Sequence, residues 1–103
     1  MAGTTMDVNI VSAEHPIWSG TAKAVLVPAY AGGLGILPGH EPVLSVIQEG
    51  PLVVTEPDGR KHSFEVTDGF ISFDSNKLTV VVEQGRSMQN IPMEKIRKFS
   101  LPI

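Results

Sequence analysis

The sequence has no cysteine among its 103 residues, which excludes a disulfide framework, a thiolate metal site and a cysteine nucleophile. Nothing in it favours an oxidising compartment, so a cytosolic chain is expected. It also lacks a bilayer span. The longest uncharged stretch, Ala24 to Gly39, is broken by Pro28, Pro38 and four glycines, whereas a spanning helix needs about 20 mostly apolar residues without interruption. No Lys or Arg precedes Lys23 and no apolar segment follows the first residues, unlike a secretory leader. Positive charge is scarce as well. Eight bases against eleven acids leave a net charge of −3, so there is no overall field to hold a polyanion, and nucleic-acid binding is disfavoured. There is no internal repeat. The length is that of one domain, and an apolar fraction of 42% with 18% charged residues is a globular composition that excludes intrinsic disorder.

What the chain does have is ten glycines and eight prolines, which mark tight turns between short elements and point to an all-β fold. Asp7 to Ile10 alternates polar and apolar residues as a half-buried strand does. Ser12 to Pro16 breaks it. Ile17 and Trp18 lead into a turn at Ser19-Gly20, and Thr21 to Val27 reads as the next strand. The segment AYAGGLG, from Ala29 to Gly35, is too rich in glycine for a helix and predicts a loop or a very short strand pair, with Ile36 and Leu37 as its core candidates. Pro38 to Pro42 is a rigid connector. Val43 to Ile47 follows as a strand, Gly50-Pro51 as a turn, and Leu52 to Thr55 as a strand. Pro57-Asp58-Gly59 signals a hairpin. In Lys61 to Thr67, His62, Phe64 and Val66 share one face. Asp68-Gly69 and Asp74-Ser75-Asn76 are turns around Phe70 to Phe73, and Leu78 to Val82 closes the set. Eight to ten short strands with turns every 8–12 residues predict a β-sandwich or barrel. Residues 1–89 are expected to form that domain and residues 90–103 a short tail. There Pro92 and the spacing of Met93, Ile96 and Phe99 allow at most one short C-terminal helix.

Catalytic patterns are absent. His15, His40 and His62 stand far apart with no metal-ligand spacing, no G-x-S-x-G elbow occurs, and the glutamates fall near turns or on polar faces where solvated surface is the default. Gly32-Gly33-Leu34-Gly35 lacks the Lys-Ser/Thr ending of a phosphate loop and opens no helix. The residues therefore predict no cofactor, no metal and no small-molecule substrate. Glycines there let a loop approach another protein's backbone closely, or else form a tight sandwich corner. Trp18 is assigned to the core. Tyr30, alone in an uncharged loop, suits surface or interface. The tail bases Lys95, Arg97 and Lys98 form a solvated face rather than a lipid or nucleic-acid patch.

The phrases Asp7-Val8-Asn9-Ile10-Val11-Ser12-Ala13-Glu14 and Leu34-Gly35-Ile36-Leu37-Pro38-Gly39-His40-Glu41-Pro42-Val43-Leu44 resemble the epsilon subunit of the F-type ATP synthase. The strands Asp68 to Phe73 and Lys77 to Val82 resemble two further strands of that family, so the match covers residues 6 to 82. The resemblance implies a sandwich of two five-stranded sheets with a non-catalytic role in the rotating central stalk. The subunit would be held by the gamma subunit and would rest on the c-ring, at the cytoplasmic face of the cell membrane and without inserting into it. It would help couple proton translocation to ATP synthesis. By position, Ser12, His40 and Pro42 are expected at the gamma interface, and Ala31, Gly32, Gly33 and Leu34 at the c-ring. The family commonly has an acid where Gly33 stands, which leaves backbone and Leu34 contacts as the ring-facing candidates. The family's long C-terminal helical hairpin has no room in the last 14 residues at about 1.5 Å per residue, so no extended inhibitory arm and no ATP site are expected. The rival readings are a free-standing β-sandwich that binds a small ligand, with His40 and the glycine loop at its rim, and an enzyme of unknown reaction. An exposed apolar patch favours the interface subunit, and a concave pocket with convergent polar groups favours the ligand binder.

Overall fold

The computed structural model describes residues 5–29 and 32–88. Ten strands follow one another: β1 (Met6–Ser12), β2 (Pro16–Ala22), β3 (Ala24–Ala29), β4 (Gly32–Ile36), β5 (Val43–Ile47), β6 (Gly50–Thr55), β7 (Lys61–Val66), β8 (Gly69–Asp74), β9 (Lys77–Val82) and β10 (Gly85–Ser87). The hydrogen-bonded order is β10-β7-β6-β3-β5-β8-β9-β1-β2, with β4 on the other side of β3. One pairing in that order is reduced to a single bridge, Ala29 with Ile47, between β3 and β5. The ladder bends there into two five-stranded layers, β4-β3-β6-β7-β10 and β5-β8-β9-β1-β2, the expected β-sandwich. All pairings are antiparallel except β1 with β9. At the opposite rim β10 approaches β2 so closely that a Cβ on Gly85 would lie 2.8 Å from Ile17 Cδ1.

Alternation along the strands fills the space between the layers. Val25 and Val27 from β3, Ile36 from β4, Leu52 and Val54 from β6, and Phe64 and Val66 from β7 meet Met6, Val8 and Ile10 from β1, Ile47 from β5, Ile71 and Phe73 from β8, and Leu78, Val80 and Val82 from β9. Trp18 and Ile17 lie half-buried against this core, so Trp18, assigned to the core from the sequence, flanks it instead of sitting within it. Its indole is 5.5 Å from the His62 ring, and His62 Nε2 bonds Glu56 Oε2 at 2.6 Å.

Tertiary packing overrides the local signals at several glycines. Ser19-Gly20 is not a turn, because β2 runs through it with Gly20 opposite Val8. A Cβ on Gly20 would lie 2.9 Å from the Trp18 ring, so the glycine makes room for an indole folded back over its own strand. The break comes at Lys23 instead. Gly50-Pro51 likewise opens β6, with Pro51 opposite Glu65 at a strand start where a missing amide is tolerated. The glycine-rich segment becomes a true strand, β4, paired with β3 from Gly32 to Ile36. Ile36 is buried, but Leu37 is 56% exposed rather than in the core. Sequence pattern also missed β10. The short tail helix falls on 90–103, outside the described residues.

The local turn signals do form. Gly59 has φ +96° and donates to the Glu56 carbonyl at 2.9 Å, closing the 57–59 hairpin. Ser75 and Asn76 have φ of 52° and 58°, a two-residue left-handed turn that suits the twist of β8 and β9.

Candidate functional site

The register places the residues singled out from the sequence at two opposite ends of the sandwich. Ser12 pairs with Val82, Val82 with Gly69, Gly69 with Ile47, Ile47 with Ala29, and Ala29 with Gly32. One unbroken row of paired residues therefore joins Ser12 to Gly32 across both layers. His40 and Pro42 precede Val43, which pairs with Phe73, four residues and about 13 Å along the strand from that row. The first end is called the hairpin end and the second the turn end below.

At the hairpin end the Ser12 hydroxyl is occupied within its own turn. Its Oγ donates to the His15 carbonyl at 2.8 Å and accepts from the His15 amide at 3.1 Å. The Ser12 amide donates to the same carbonyl at 2.9 Å. What Ser12 offers a partner is thus a fixed corner and not a free hydroxyl. Gly32 has φ +112°, a backbone region that a side chain rarely tolerates. Gly33 lies under Leu26, whose Cδ1 would be 3.1 Å from a Cβ there. Leu34 points inward, half-buried against the core, so the bare backbone of Gly32 and Gly33 is what β4 presents outward. Ala31 lies outside the described residues.

At the turn end Leu37 to His40 closes a turn, with the His40 amide donating to the Leu37 carbonyl at 3.0 Å and Gly39 at φ +86°. The Gly39 amide donates to Asn76 Oδ1 at 2.7 Å. The His40 ring stands edge-on to Phe73, centroids 5.9 Å apart at 90°, and its Nδ1 lies 2.7 Å from the Glu41 carbonyl. A carbonyl only accepts, so Nδ1 carries a proton and Nε2 is left for a partner. Pro42 is exposed.

Between the two ends, the outer face of the second layer carries an apolar row that the sequence reading did not single out. Val46 pairs with Phe70, Phe70 with Val81 and Val81 with Val11, one residue inward from the Ser12 row and facing away from the core. Leu44, Val46 and Phe70 are 75%, 56% and 44% exposed. The signal was the phase of Val43-Leu44-Ser45-Val46-Ile47. With Ile47 buried, Ser45 must point inward, opposite Ile71, and both flanking aliphatics outward.

Among the described residues no polar or charged side chain is buried, and no three His, Cys, Asp or Glu side chains gather. An open depression of about 440 Å³ at the hairpin end is lined by Ser12, Glu14, His15, Glu49, Glu65, Thr67 and Arg86 among others. Its ionisable groups are solvated rather than converged on a point, unlike a ligand pocket. At the turn end the Asp58 carboxyl is held below the usual carboxylate range, first by the Arg60 backbone amide and then by its guanidinium. This is local hairpin chemistry on an exposed side chain.

An exposed apolar row is the mark of an interaction surface, and comparison with known proteins gives the family. Residues 5–87 match the family described as ATP synthase, Delta/Epsilon chain, beta-sandwich domain, and the chain belongs to that family. By that family it is a non-catalytic subunit of ATP synthase. It is 33% identical over 93 residues to the ATP synthase epsilon chain of Streptomyces avermitilis, covering 90% of this chain and 75% of that one. It is 40% identical over 81 residues to the epsilon chain of Micrococcus luteus, covering 79% and 89%. The fold is also found in the Euglena gracilis mitochondrial ATP synthase structure containing OSCP, F1 and c-ring. There the TM-score is 0.80 at 19% identity, over 93% of this chain and 61% of that one.

Proposed function

We propose that this subunit works in the rotating central stalk of an F-type ATP synthase. It binds the gamma subunit through the outer face of β5-β8-β9-β1 and meets the c-ring through the β3-β4 hairpin, coupling proton translocation to ATP synthesis. It sits at the cytoplasmic face of the membrane without inserting into it. The observation that carries this reading is the apolar row Val46, Phe70, Val81 and Val11 with Leu44 beside it. Of the three expected gamma contacts, Ser12 and His40 bound that face at its opposite ends, and Pro42 leads into its first strand. A partner laid along the face would touch all of them. Gly32, Gly33 and Leu34 belong to the hairpin end, where backbone lies open to close approach, and Ala31 is proposed with them from its place in the sequence alone. The Ser12 corner shares that end, so gamma and the ring would meet the subunit side by side.

The test is recovery of gamma. Wild-type chain should retain a gamma subunit and c-ring from its own membranes. Leu44→Asp places a charge beside the apolar row and should weaken gamma binding by about 10- to 100-fold, matching the loss of about 1.5–3 kcal/mol of leucine burial. Its melting temperature should stay unchanged, because the side chain is on the surface. Undiminished gamma binding by Leu44→Asp would overturn the assignment of this face.

A further inference from the structure

The hairpin proposed to meet the c-ring and the face proposed to meet gamma belong to different layers, joined where the ladder is thinnest. Between β3 and β5 the ladder holds only the Ala29–Ile47 pair, whereas β5 pairs with β8 along its whole length. Two further bonds close this seam, and both come from Gln48. Its backbone amide donates to the Pro28 carbonyl at 2.8 Å, and its side-chain Nε2 donates to the Ala29 carbonyl at 3.2 Å. The side chain is half-buried, where a hydrogen bond is less exposed to competition from water. Gly50, two residues on, packs against Pro28 so closely that a Cβ would come within 3.0 Å of it. Ala29 ends β3 and pairs with Gly32, the first residue of β4. Val46 of the apolar row is two residues before Gln48. A displacement of the hairpin thus has a short covalent and hydrogen-bonded route to the outer face, through one side-chain amide.

We infer that Gln48 is the positioning residue that locks the β3-β4 hairpin to the layer carrying the apolar row, so that load on the hairpin reaches that face instead of opening the seam. The inference rests on the proposed function for the two surfaces, and it depends on a donor at position 48. An acceptor faces Ala29 O only with repulsion, so Gln48→Glu must fail where Gln48→Lys, which keeps an N–H donor on a chain of sufficient reach, succeeds.

Two measurements test this together. Amide exchange at Gln48 in the full-length chain reads the seam directly. It should quicken by about fivefold in Gln48→Glu and Gln48→Ala, as expected for the loss of one neutral hydrogen bond, and stay at the wild-type rate in Gln48→Lys. In assembled enzyme, the ratio of proton pumping to ATP hydrolysis should fall for Gln48→Glu and Gln48→Ala and be kept by Gln48→Lys, with gamma recovered equally from all. A merely structural role would lower gamma recovery and leave the ratio of assembled enzyme untouched. The inference is overturned if exchange at Gln48 does not change, if Glu and Lys variants behave alike, or if assembled Gln48→Glu enzyme pumps with the wild-type ratio. Failure of the wild-type chain to retain gamma or the ring is a different result. It would remove the proposed surfaces while the exchange data still reported on the seam.

Discussion

At the hairpin end the backbone itself carries the connection, through a row of paired residues that runs from Ser12 to Gly32 without a gap. At the turn end the connections are made by left-handed residues. Among the described residues Gly39, Gly59, Ser75 and Asn76 all have positive φ there, against Gly32 at the other end. Each end also has one amide side chain reaching across elements, and the two do opposite jobs. Gln48 donates to Ala29 O across the seam between layers. Asn76 accepts from the Gly39 amide through Oδ1, while its own carbonyl accepts from the Asp7 amide at 2.9 Å. It thereby holds three segments at one corner. The difference teaches that position at the hairpin end is set by ladder register, and at the turn end by local conformational preference backed by one bridging side chain.

The sharpest way to break the comparison is at Gly69, in the middle of the paired row. A Cβ there would sit 2.0 Å from the Val81 carbonyl oxygen, a clash with backbone that no rotamer relieves. Gly69→Ala should cost about 3 kcal/mol or more, read as a large drop in melting temperature or as failure to fold. If it were neutral, register would not be what fixes the hairpin end.

The corresponding change at the turn end should cost less and split into parts. Asn76→Ala loses the hydrogen bond to Gly39 and puts a residue without a compensating polar side chain at φ 58°, together about 2 kcal/mol. Asn76→Gly relieves the backbone cost and keeps only the lost bond, so in chemical denaturation it should recover part of the difference. Equal losses for the two variants would show that left-handed conformation is not what the asparagine supplies. A weakened corner also loosens the Leu37–His40 turn, so His40 should lose its fixed seat against Phe73. Gamma binding should then weaken alongside stability.

How much of this was legible in the sequence follows the same division. The turn end was readable because its instructions are local: Pro57-Asp58-Gly59 and Asp74-Ser75-Asn76 encode their own conformations, and Pro38 to Pro42 reads as a rigid connector without knowledge of the rest. The alternation of Lys61 to Thr67 likewise sufficed to bury Phe64 and Val66. The hairpin end was not readable in this way. Gly50-Pro51 resembles a turn until Pro28 is found against it, and β10 exists because β7 offers an edge. Gly20 is an exception at the turn end, level with Val8, Leu78, Phe73 and Val43: it resembles a turn until Trp18 is seen to occupy the space above it. For the site, the family resemblance supplied Ser12, His40 and the glycine segment as names in one dimension. That Ser12 shares an end with Gly32 and not with His40 follows from the parallel pairing of β1 with β9, which depends on contacts about 70 residues apart and has no local signature. The inward serine at position 45 was the one missed clue that lay in plain view.

The smallest effect belongs to the outermost part of the turn end. Asp58 accepts from the Arg60 amide at 2.9 Å and its guanidinium at 3.0 Å, and the amide bond is the leading reason that its carboxyl is held low. A carboxyl whose folded value is depressed adds stability that is present above the unfolded value and is lost as the pH falls through the folded one. The hairpin bond to Arg60 should therefore persist down through the ordinary carboxylate range and release only in more acid solution. The Arg60 amide resonance should follow that transition with a midpoint below the usual aspartate value, and Asp58→Asn should abolish it. Because both partners are exposed to water and screened by it, the melting temperature of Asp58→Asn should be indistinguishable from that of the parent at neutral pH. A measurable drop would mean that the 56–60 hairpin shares in the corner built by Asn76. The turn end would then be one cooperative unit rather than a set of independently encoded turns.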